Sequence, residues 1–343
     1  MGAFPVQRVE GSPRRLGAQL GRLYREAVVR GCEDAKNSPP PMASTEVADH
    51  VARASVLLQR DFPALYDEQV AVADAAGVPF DLYLLSMYEE LWDGAEDSEM
   101  TRGCTDIVAK GEATLSGELL VGHNNDLSRR PGDMVLVEYR PEGSVPFVAF
   151  SMDGVSVSSG ANRAGVVLTG NETENNDVRP GLPRLLLVRE ACGAESIAEA
   201  RRVLLHPDRA SSYNNILSDA QGNVLDIEAG ARGSAEVPLV NGMLAHTNHY
   251  RVLTQKAVEP PTETSDYRLR RATYLLDRDA GTHTVRTFQR ILSDHRRDSD
   301  GICRHGAGNA QTKFSTVFQP EQGVVHFCVG NPCVTPFQRL PYF

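Results

Sequence analysis

The sequence predicts an α+β fold in which sheets are covered by helices, and three observations support this prediction. Apolar residues in the first hundred positions recur at helical spacing, as in Leu16, Leu20 and Leu23. After residue 104 the period changes towards two, in short β-branched runs separated by turn residues. The chain has 343 residues and 41% hydrophobic content, which is enough for a large core. Strands and helices in separate blocks are typical of a layered architecture.

The N-terminal block is predicted to be mostly helical. Its apolar spacing predicts helices at 14–36, 45–60, 62–76 and 81–92. Pro39-Pro40-Pro41 ends the first helix, because proline cannot donate a helical hydrogen bond and blocks the preceding turn. Pro63 suits the first turn of the third helix. Asp93-Gly94 ends the fourth helix, since glycine accepts the left-handed conformation that closes a helix.

The second block begins with strands and then alternates. Short alternating or β-branched runs predict strands at 106–110, 118–121, 134–139, 145–151, 155–159 and 165–169. Helices are predicted at 183–192, 195–205, 267–278 and 284–293, a hairpin at 213–218 and 224–228, and a final strand pair at 316–318 and 324–328. The polar, proline-containing stretch 253–266 is predicted to be a surface loop.

Composition excludes several classes of function. The formal net charge is −10 and no long basic stripe is present, so a nucleic-acid partner is not expected. No run of about 18 apolar residues exists, so a membrane span is not expected. The N-terminus lacks the apolar stretch of a secretory signal, which predicts a cytoplasmic protein. Six dispersed cysteines without a Cys-x-x-Cys pair indicate a reducing compartment.

Metal, cofactor and assembly signals are weak. Cys303-x-His305 and His246-x-x-His249 have the spacing of zinc half-sites, but no neighbouring residues in the sequence complete either of them. We therefore predict neither a metal ion nor a cofactor. No heptad pattern or exposed apolar stripe stands out, which leaves a homo-oligomer open.

Cys104 is the residue that carries the most information. It follows Gly103 where a predicted helical segment gives way to a predicted strand, and a Gly-Cys bond at the start of a strand suggests a chain that cuts itself. A cysteine that becomes an N-terminus carries a nucleophile and a base, its own α-amine, on one residue. The α-amine has a reference pKa of about 7.7–8.0, which suits a base at neutral pH. The alternative is an uncut chain with a buried, inert cysteine.

Seven short motifs occur along the chain. They are Glu10-Gly11-Ser12 with Gly17 and Gly21, Gly103-Cys104-Thr105, Gly122-His123-Asn124-Asn125-Asp126, Ser212-Tyr213-Asn214 with Asp219-Ala220-Gln221-Gly222-Asn223, His246-Thr247-Asn248-His249-Tyr250, Gly301-Ile302-Cys303-Arg304-His305 and Gly330-Asn331-Pro332-Cys333. In this order they resemble the motifs of the acyl-CoA:6-aminopenicillanate acyltransferase family, the self-processing C45 peptidases. The resemblance implies the four-layer αββα sandwich of N-terminal-nucleophile hydrolases, with a helical N-terminal segment.

The resemblance also implies self-cleavage and a set of catalytic residues. The products would be fragments 1–103 and 104–343, which stay associated as one folded unit. Asp126 would hold the ammonium and the thiol of Cys104 in place, and Asn171 and Asn248 would donate hydrogen bonds to the oxyanion. The alternative for these three residues is an ordinary place in a turn, since Asp and Asn are common there.

Three further residues are candidates for substrate binding. His123 stands where the distantly related choloylglycine hydrolases have an arginine, so the role of that arginine is not carried over. Arg268 resembles an arginine that closes the site in that branch, although helical spacing would also place it with Arg271 on a face of ordinary salt bridges. Glu172 belongs to the acidic run 171–177, which is either a solvated loop or a feature that favours a cationic amine.

These observations predict a self-processing cysteine amidohydrolase that cleaves the amide bond of a small N-acyl compound through an acyl-Cys104 intermediate. One alternative is an acyltransferase that moves an acyl group from a thioester or amide to an amine. A second is a papain-like thiol enzyme in which His246, His249 or His305 activates Cys104 without cleavage of the chain. A third is an uncleaved binding module of the same fold.

Overall fold

The described residues of the computed structural model form two sheets and two groups of helices. The description covers residues 4–92, 103–127, 134–173, 177–254, 262–297, 301–306 and 310–342. The helices are α1 (Pro13–Leu23), α2 (Arg25–Asn37), α3 (Ser44–Asp61), α4 (Pro63–Ala76), α5 (Phe80–Ser86), α6 (Arg184–Ala191), α7 (Ile197–Leu204), α8 (Glu263–Arg278) and α9 (Val285–Leu292).

The strands divide between an eight-stranded sheet, sheet I, and a six-stranded sheet, sheet II. They are β1 (Val6–Gly11), β2 (Gly103–Gly111), β3 (Gly117–Leu127), β4 (Val135–Pro141), β5 (Phe147–Ser151), β6 (Val157–Asn162), β7 (Val167–Thr169), β8 (Tyr213–Ser218), β9 (Val224–Ala229), β10 (Ser234–Val237), β11 (Met243–His246), β12 (Gln311–Gln319), β13 (Val324–Val329) and β14 (Gln338–Pro341). Sheet I has the order β1-β4-β5-β6-β7-β8-β9-β10, and sheet II has the order β11-β2-β3-β12-β13-β14.

Three hydrophobic clusters define the order of the layers. The first cluster contains side chains from the seven helices α1–α7 and from one face of sheet I. Leu186 of α6 and Val137 of β4, for example, both belong to it. The second fills the space between the sheets, where Phe150 of sheet I and Val121 of sheet II belong to one core. The third joins the outer face of sheet II to α8 and α9. The layers are therefore helices, sheet I, sheet II and helices, which confirms the predicted αββα sandwich.

Burial on both faces explains the composition of the strands in sheet II. Along β2, Val108 faces sheet I, while Ile107 and Ala109 face the outer helices. A strand covered on both sides reads as a nearly continuous apolar run rather than as a clean alternation. The hairpin of β2 and β3 pairs Cys104 with Asn125, and it pairs Gly103 with Asp126. This register delivers polar side chains from β3 to the start of β2.

The predicted helix 14–36 is two helices in the structure. The break falls at Tyr24, whose backbone leaves the helical region at φ −116° and ψ 26°. Its ring packs so closely on Gly154 that an added Cβ there would lie 2.2 Å from the ring. Apolar spacing alone does not reveal this break, because the pattern continues on both sides of Tyr24.

Other differences concern short elements. The predicted helix 81–92 ends at Ser86, and a separate 3₁₀ turn, Glu90–Trp92, follows it, while Asp93-Gly94 lies outside the described residues. The sequence reading missed the short strands β1, β10, β11 and β14. The predicted loop 253–266 is shorter than expected, because Thr262 caps α8 by accepting the Ser265 N–H. Residues 255–261 of that loop lie outside the description.

Two glycines let α1 lie directly against α4. A Cβ on Gly17 would lie 2.0 Å from the Glu68 carbonyl oxygen, and one on Gly21 would lie 2.4 Å from that of Val72. This close approach is the physical reason for glycine at both positions of the N-terminal motif. Among the described residues, no helix has both the length and the apolar character that a membrane crossing requires.

The buried ion pair of Glu68 and Arg189 makes a prediction about stability. Two hydrogen bonds of 3.0 and 2.5 Å join the groups, whose side chains are 3% and 8% exposed. Glu68→Gln leaves the guanidinium buried without its counter-charge, so we expect a loss of about 3–5 kcal/mol in the free energy of unfolding. Equilibrium urea denaturation, followed by circular dichroism in a Cys104→Ala background, measures this loss.

The neighbouring residue provides the matched control. Asp67 pairs with Arg14 at 2.9 Å, but its side chain is 43% exposed. We expect Asp67→Asn to change the free energy of unfolding by less than about 1 kcal/mol, since water already screens that pair. Equal losses in the two variants would contradict the importance of burial here.

Candidate active site

The thiol of Cys104 lies in a buried position at the start of β2. The residue is 5% exposed, and Asn125 on the paired strand donates to Sγ at 3.7 Å. The amide of Asn125 also donates to the Ser158 hydroxyl at 3.1 Å, which ties β3 to β6 of the other sheet. The thiol therefore faces the space between the two sheets with an amide donor fixed beside it.

Burial controls the ionisation of this thiol. It raises the pKa of Cys104 to about 12, and the negative charge of Asp126 raises it further, while a hydrogen bond from the Asp126 backbone N–H acts in the opposite direction. Near neutral pH the thiol is protonated. Because the thiolate is the nucleophile, reaction at this residue requires a base that removes the proton as the new bond forms.

Asn248 fixes the backbone of Cys104. The Cys104 N–H donates to Asn248 Oδ1 at 2.9 Å, and Asn248 Nδ2 donates to the Glu172 carbonyl at 2.9 Å. These two partners determine which end of the amide is oxygen. The segment after β11 is thereby linked both to the candidate nucleophile and to the segment that follows β7. At most one N–H of Asn248 remains for an oxyanion.

Arg268 of α8 holds the other side of the same backbone. Its Nη1 donates to the Cys104 carbonyl and, at 3.1 Å, to Thr105 Oγ1, while its Nη2 donates to Asn248 Oδ1 at 2.8 Å. The residue is 1% exposed. The ordinary salt-bridge interpretation of this helix face applies instead to Arg271, which pairs with Asp294. The planar guanidinium presents its N–H donors in a fixed fork that reaches separate acceptors, whereas a lysine ammonium concentrates its donors at one point.

Gly103 lies against two arginines. A Cβ at this position would lie 2.5 Å from Arg304 Nη1 and 3.3 Å from Arg268 Nη2. Gly103 is not among the residues with positive φ, so its need for glycine arises from close approach and not from a left-handed backbone. The guanidinium of Arg304 is itself buried, with 3% of the residue exposed, so it has little room to move away.

Asp126 is a buried carboxylate beside the same arginines. Burial raises its pKa to about 6, although the positive charges of Arg268 and Arg304 and a hydrogen bond from Thr312 oppose that rise. The Thr312 hydroxyl donates to Oδ1 at 2.7 Å, and Oδ2 has no hydrogen-bond partner among the described residues. A carboxyl group with a pKa near 6 can exchange a proton at physiological pH.

Asn171 lies at the end of a buried polar chain. Its Nδ2 donates to Asn214 Oδ1 at 2.8 Å, and Asn214 donates in turn to the carboxylate of Asp226. Burial raises the pKa of Asp226 to about 6, and the charge of His246 opposes that rise. His246 Nε2 lies 2.9 Å from the Glu228 carboxylate. This chain orients the Asn171 amide, whose neighbour Glu172 bonds to Asn248 through its carbonyl.

The remaining two candidates are His123 and Glu172 of the acidic run 171–177, and their contacts with Cys104 are less direct. His123 is fully buried, and its Nδ1 lies 3.2 Å from both carboxylate oxygens of Asp106, an arrangement that favours a structural role over contact with a substrate.

The acidic run is not a freely solvated loop. Asp177 is 8% exposed and accepts the backbone N–H groups of Ala231 and Arg232, and residues 174–176 lie outside the description.

Sequence reasoning missed three residues around Cys104. Asn125 stands in a quoted motif, and pairing β2 with β3 across their turn would have placed it opposite Cys104. Arg304 also stands in a quoted motif, but no local pattern links it to Gly103. Thr312 is one of two threonines in β12, and nothing in the sequence distinguishes it from Thr316. Long-range packing determines the last two contacts.

The structure also has a surface cleft and two clusters of potential metal ligands, which lie away from Cys104. A surface cleft lined by Lys110, Gly242 and Val224 lies at the opposite end of β2 from Cys104. His295, His305 and Cys333 converge in one cluster, and Asp61, His206 and Asp208 converge in another. Neither cluster includes Cys104.

Comparison with known proteins gives a family. The family described as acyl-coenzyme A:6-aminopenicillanic acid acyl-transferase matches residues 113–333, a range that begins after Cys104 and includes Asp126, Asn171 and Asn248. No curated protein matches the chain.

Solved structures with some likeness include a hydrolase and an acylase. A conjugated bile acid hydrolase from Clostridium perfringens has 12% identity and a TM-score of 0.47, with 70% of this chain and 97% of that chain covered. Penicillin V acylase from Agrobacterium tumefaciens has 17% identity and a TM-score of 0.42, with 69% and 86% covered. Scores at this level support no inference about this chain, so its assignment rests on the family match over more than half of its length. The chain belongs to the acyl-coenzyme A:6-aminopenicillanic acid acyl-transferase family.

Proposed function

We propose that this protein is a self-processing cysteine amidohydrolase that cleaves the amide bond of a small N-acyl compound through an acyl-Cys104 intermediate. The family to which the chain belongs consists of N-terminal-nucleophile enzymes that act on amide bonds. The observation that carries the proposal is the set of hydrogen bonds that hold the Cys104 backbone in place. Asn248 accepts its N–H and Arg268 bonds its C=O, while Gly103 carries no side chain that would obstruct attack on its carbonyl.

The maturation step is an N-to-S acyl shift. The thiol of Cys104 attacks the carbonyl carbon of Gly103, the Gly103–Cys104 C–N bond breaks, and the released amine of Cys104 gains a proton. Water then hydrolyses the thioester, which gives a Gly103 carboxylate and a free Cys104 thiol. Before cleavage no α-amine exists, so another base must take the thiol proton. Asp126 fits this role, because its charge acts on the thiol and its pKa is about 6.

Turnover repeats this chemistry on an external amide. The α-amine of Cys104 takes the thiol proton as Sγ attacks the substrate carbonyl, and it returns the proton to the departing amine. Water then releases the acid from the thioester. Asn248, placed at the nitrogen of Cys104, orients the new amine in this scheme. Asn171 and Asn248 are both candidate oxyanion donors, since each Nδ2 donates one N–H, to Asn214 Oδ1 and to the Glu172 carbonyl respectively, and carries a second N–H.

A papain-like mechanism has less support. Both ring nitrogens of His246 already have partners, the Thr247 carbonyl and the Glu228 carboxylate. His249 Nδ1 lies 2.8 Å from the Ser265 hydroxyl. His305 lies beside the thiols of Cys303 and Cys333, in a different cluster from Cys104. The base is therefore expected to come from Cys104 itself or from Asp126.

The first prediction from this proposal concerns cleavage of the chain. We expect the purified protein to give two polypeptides in denaturing mass spectrometry, residues 1–103 and 104–343, which co-elute under native conditions. Cys104→Ala should give one intact chain, because it lacks the attacking sulfur. Cys32→Ala, a buried cysteine of α2, is the matched control and should be cleaved like the wild type. An intact wild-type chain would favour the uncleaved binding module.

The second prediction concerns pH. The ionised form of Asp126 is the one that accepts a proton, so the cleavage rate of a freshly translated precursor should rise with pH through a midpoint near 6. Thr312→Val removes a hydrogen bond that stabilises the carboxylate, so the midpoint should move to higher pH. Cleavage time courses on gels at a series of pH values give both midpoints.

The control for this measurement lies on the same strand. Thr316 is fully buried, and its hydroxyl has no hydrogen-bond partner among the described residues, so Thr316→Val should leave the midpoint unchanged. A cleavage rate independent of pH between about 5 and 8 would rule out Asp126 as the base.

The family also contains acyltransferase activity by name, which makes transfer to an amine the second candidate. Both reactions share the acyl-Cys104 thioester and differ in what attacks it. We expect an N-acyl amide to release acid and amine in equal amounts without an added acceptor. Chromatography of these products, with and without 6-aminopenicillanate and an acyl-CoA donor, measures the partition. If acid forms only as a minor product and transfer needs the acceptor, the protein is an acyltransferase instead.

A further inference from the structure

Two cysteines and two histidines converge at the C-terminal end of the chain, away from Cys104. Cys303 Sγ lies 3.6 Å from Cys333 Sγ and 3.7 Å from His305 Nε2, and Cys333 Sγ lies 3.3 Å from the same nitrogen. The ligand atom of His295 lies within 4.8 Å of those of His305 and Cys333. We call these four residues the Cys/His cluster.

The three distances among Cys303, Cys333 and His305 match the edges of a metal tetrahedron. Zinc binds thiolate sulfur at about 2.3 Å and imidazole nitrogen at about 2.0–2.1 Å, so neighbouring ligand atoms of a tetrahedral site lie about 3.3–3.8 Å apart. The three measured separations among Cys303, Cys333 and His305 all fall in this range. The ligand atom of His295 lies within 4.8 Å of those of His305 and Cys333, and its exposed side chain would have to rotate towards the ion to supply the fourth ligand.

The groups around the cluster also suit a metal. Asn331 Nδ2 lies 3.5 Å from Cys303 Sγ, where an N–H donor would stabilise a thiolate. His295 Nδ1 lies 3.0 Å from the Ser293 carbonyl oxygen, which places the proton on Nδ1 and leaves Nε2 to bind a metal. Cys303 is fully buried, while the two histidines are exposed, so the site has a rigid floor and an open side through which an ion can enter.

We propose that Cys303, His305, Cys333 and His295 bind a zinc ion. Thiolate and imidazole ligands select zinc over the hard cations that prefer oxygen. Binding displaces the thiol protons, so the affinity rises with pH. The sequence contains only the half-site Cys303-x-His305. The structure completes it with Cys333, thirty residues further along the chain, and with His295.

The position of the cluster gives the ion a role in the architecture. Cys333 belongs to the turn after β13, whereas the other three ligands belong to the segments on either side of residues 298–300. Arg304, which lies against Gly103, stands between two of the ligands. A bound ion would therefore hold the segment that carries Arg304 in place next to the proposed cleavage bond.

Two other interpretations are less favourable. A disulfide between Cys303 and Cys333 would use neither histidine, yet His305 Nε2 is directed at both sulfurs. The second cluster, Asp61, His206 and Asp208, has its carboxylates paired with arginines. Those pairs account for its negative charge without a metal.

The experiment uses the full-length protein, purified in a non-thiol reductant and without chelators. We expect one zinc per chain by inductively coupled plasma mass spectrometry. After removal of zinc, titration with cobalt(II) should saturate at one equivalent, with thiolate-to-cobalt charge transfer and the intense visible bands of tetrahedral cobalt. Cobalt that gives only the weak spectrum of the hydrated ion, in protein that keeps its circular dichroism, would overturn the proposal whether or not any variant folds.

Variants then locate the ion. Cys333→Ser and His305→Ala should each lower the affinity for cobalt by about 10-fold or more, since each removes a direct ligand. Cys32→Ser is the matched control, because Cys32 is a buried cysteine of α2 in the helical layer on sheet I, outside the cluster, and it should bind one equivalent. Equal binding in all three variants would overturn the proposal. So would a wild-type mass, measured on a sample prepared without reductant, that is lower by two hydrogens with Cys303 linked to Cys333.

Discussion

The contact of the Arg268 guanidinium with the start of β2 organises this protein. One planar group on α8 bonds the Cys104 carbonyl, the Thr105 hydroxyl and the amide oxygen of Asn248. It therefore joins the outer helical layer, sheet II and the segment after β11 at one point. An arginine buried to this degree is stable only where several acceptors and a negative charge surround it. Asp126 supplies that charge, and the two groups act on each other through a medium with little water.

The balance of charge at this point sets the chemistry that is available. A carboxylate beside Arg268 and Arg304 would ordinarily have a low pKa, but burial outweighs the arginines and brings it to about 6. The same burial keeps the Cys104 thiol protonated. The Cys104 thiol is thus a proton donor too weak to ionise alone, and the Asp126 carboxylate is a proton acceptor whose pKa is close to neutral pH. Removing water raises the pKa of both groups, so the covering layers of the sandwich matter as much as the residues themselves.

The sandwich also explains why the site is rigid. Asn125 reaches across to β6, Asn214 connects Asn171 to a buried carboxylate, and Thr312 on β12 fixes Asp126. Each of these contacts comes from a strand whose register is determined on both sides by packed neighbours. A shift of one residue would reverse the faces and remove the polar groups from Cys104. The backbone of sheet II therefore fixes the positions of the polar side chains in the candidate site.

The sequence alone determined the local features. Apolar periodicity predicted most helices and strands, and the position of Gly103-Cys104 at a strand start, together with the motif that ends in Asp126, indicated the family and the candidate nucleophile. These features depend on neighbours in the chain, which is why they can be read from it. The tertiary structure alone decided which distant side chains meet. Asn248 and Arg268 reach Cys104 from 144 and 164 residues away, and Arg304 and Thr312 complete the surroundings from a separate segment. The tertiary structure likewise brings Cys333 next to Cys303. Such contacts are selected by the packing of layers over long loops, and no local preference of the chain encodes them.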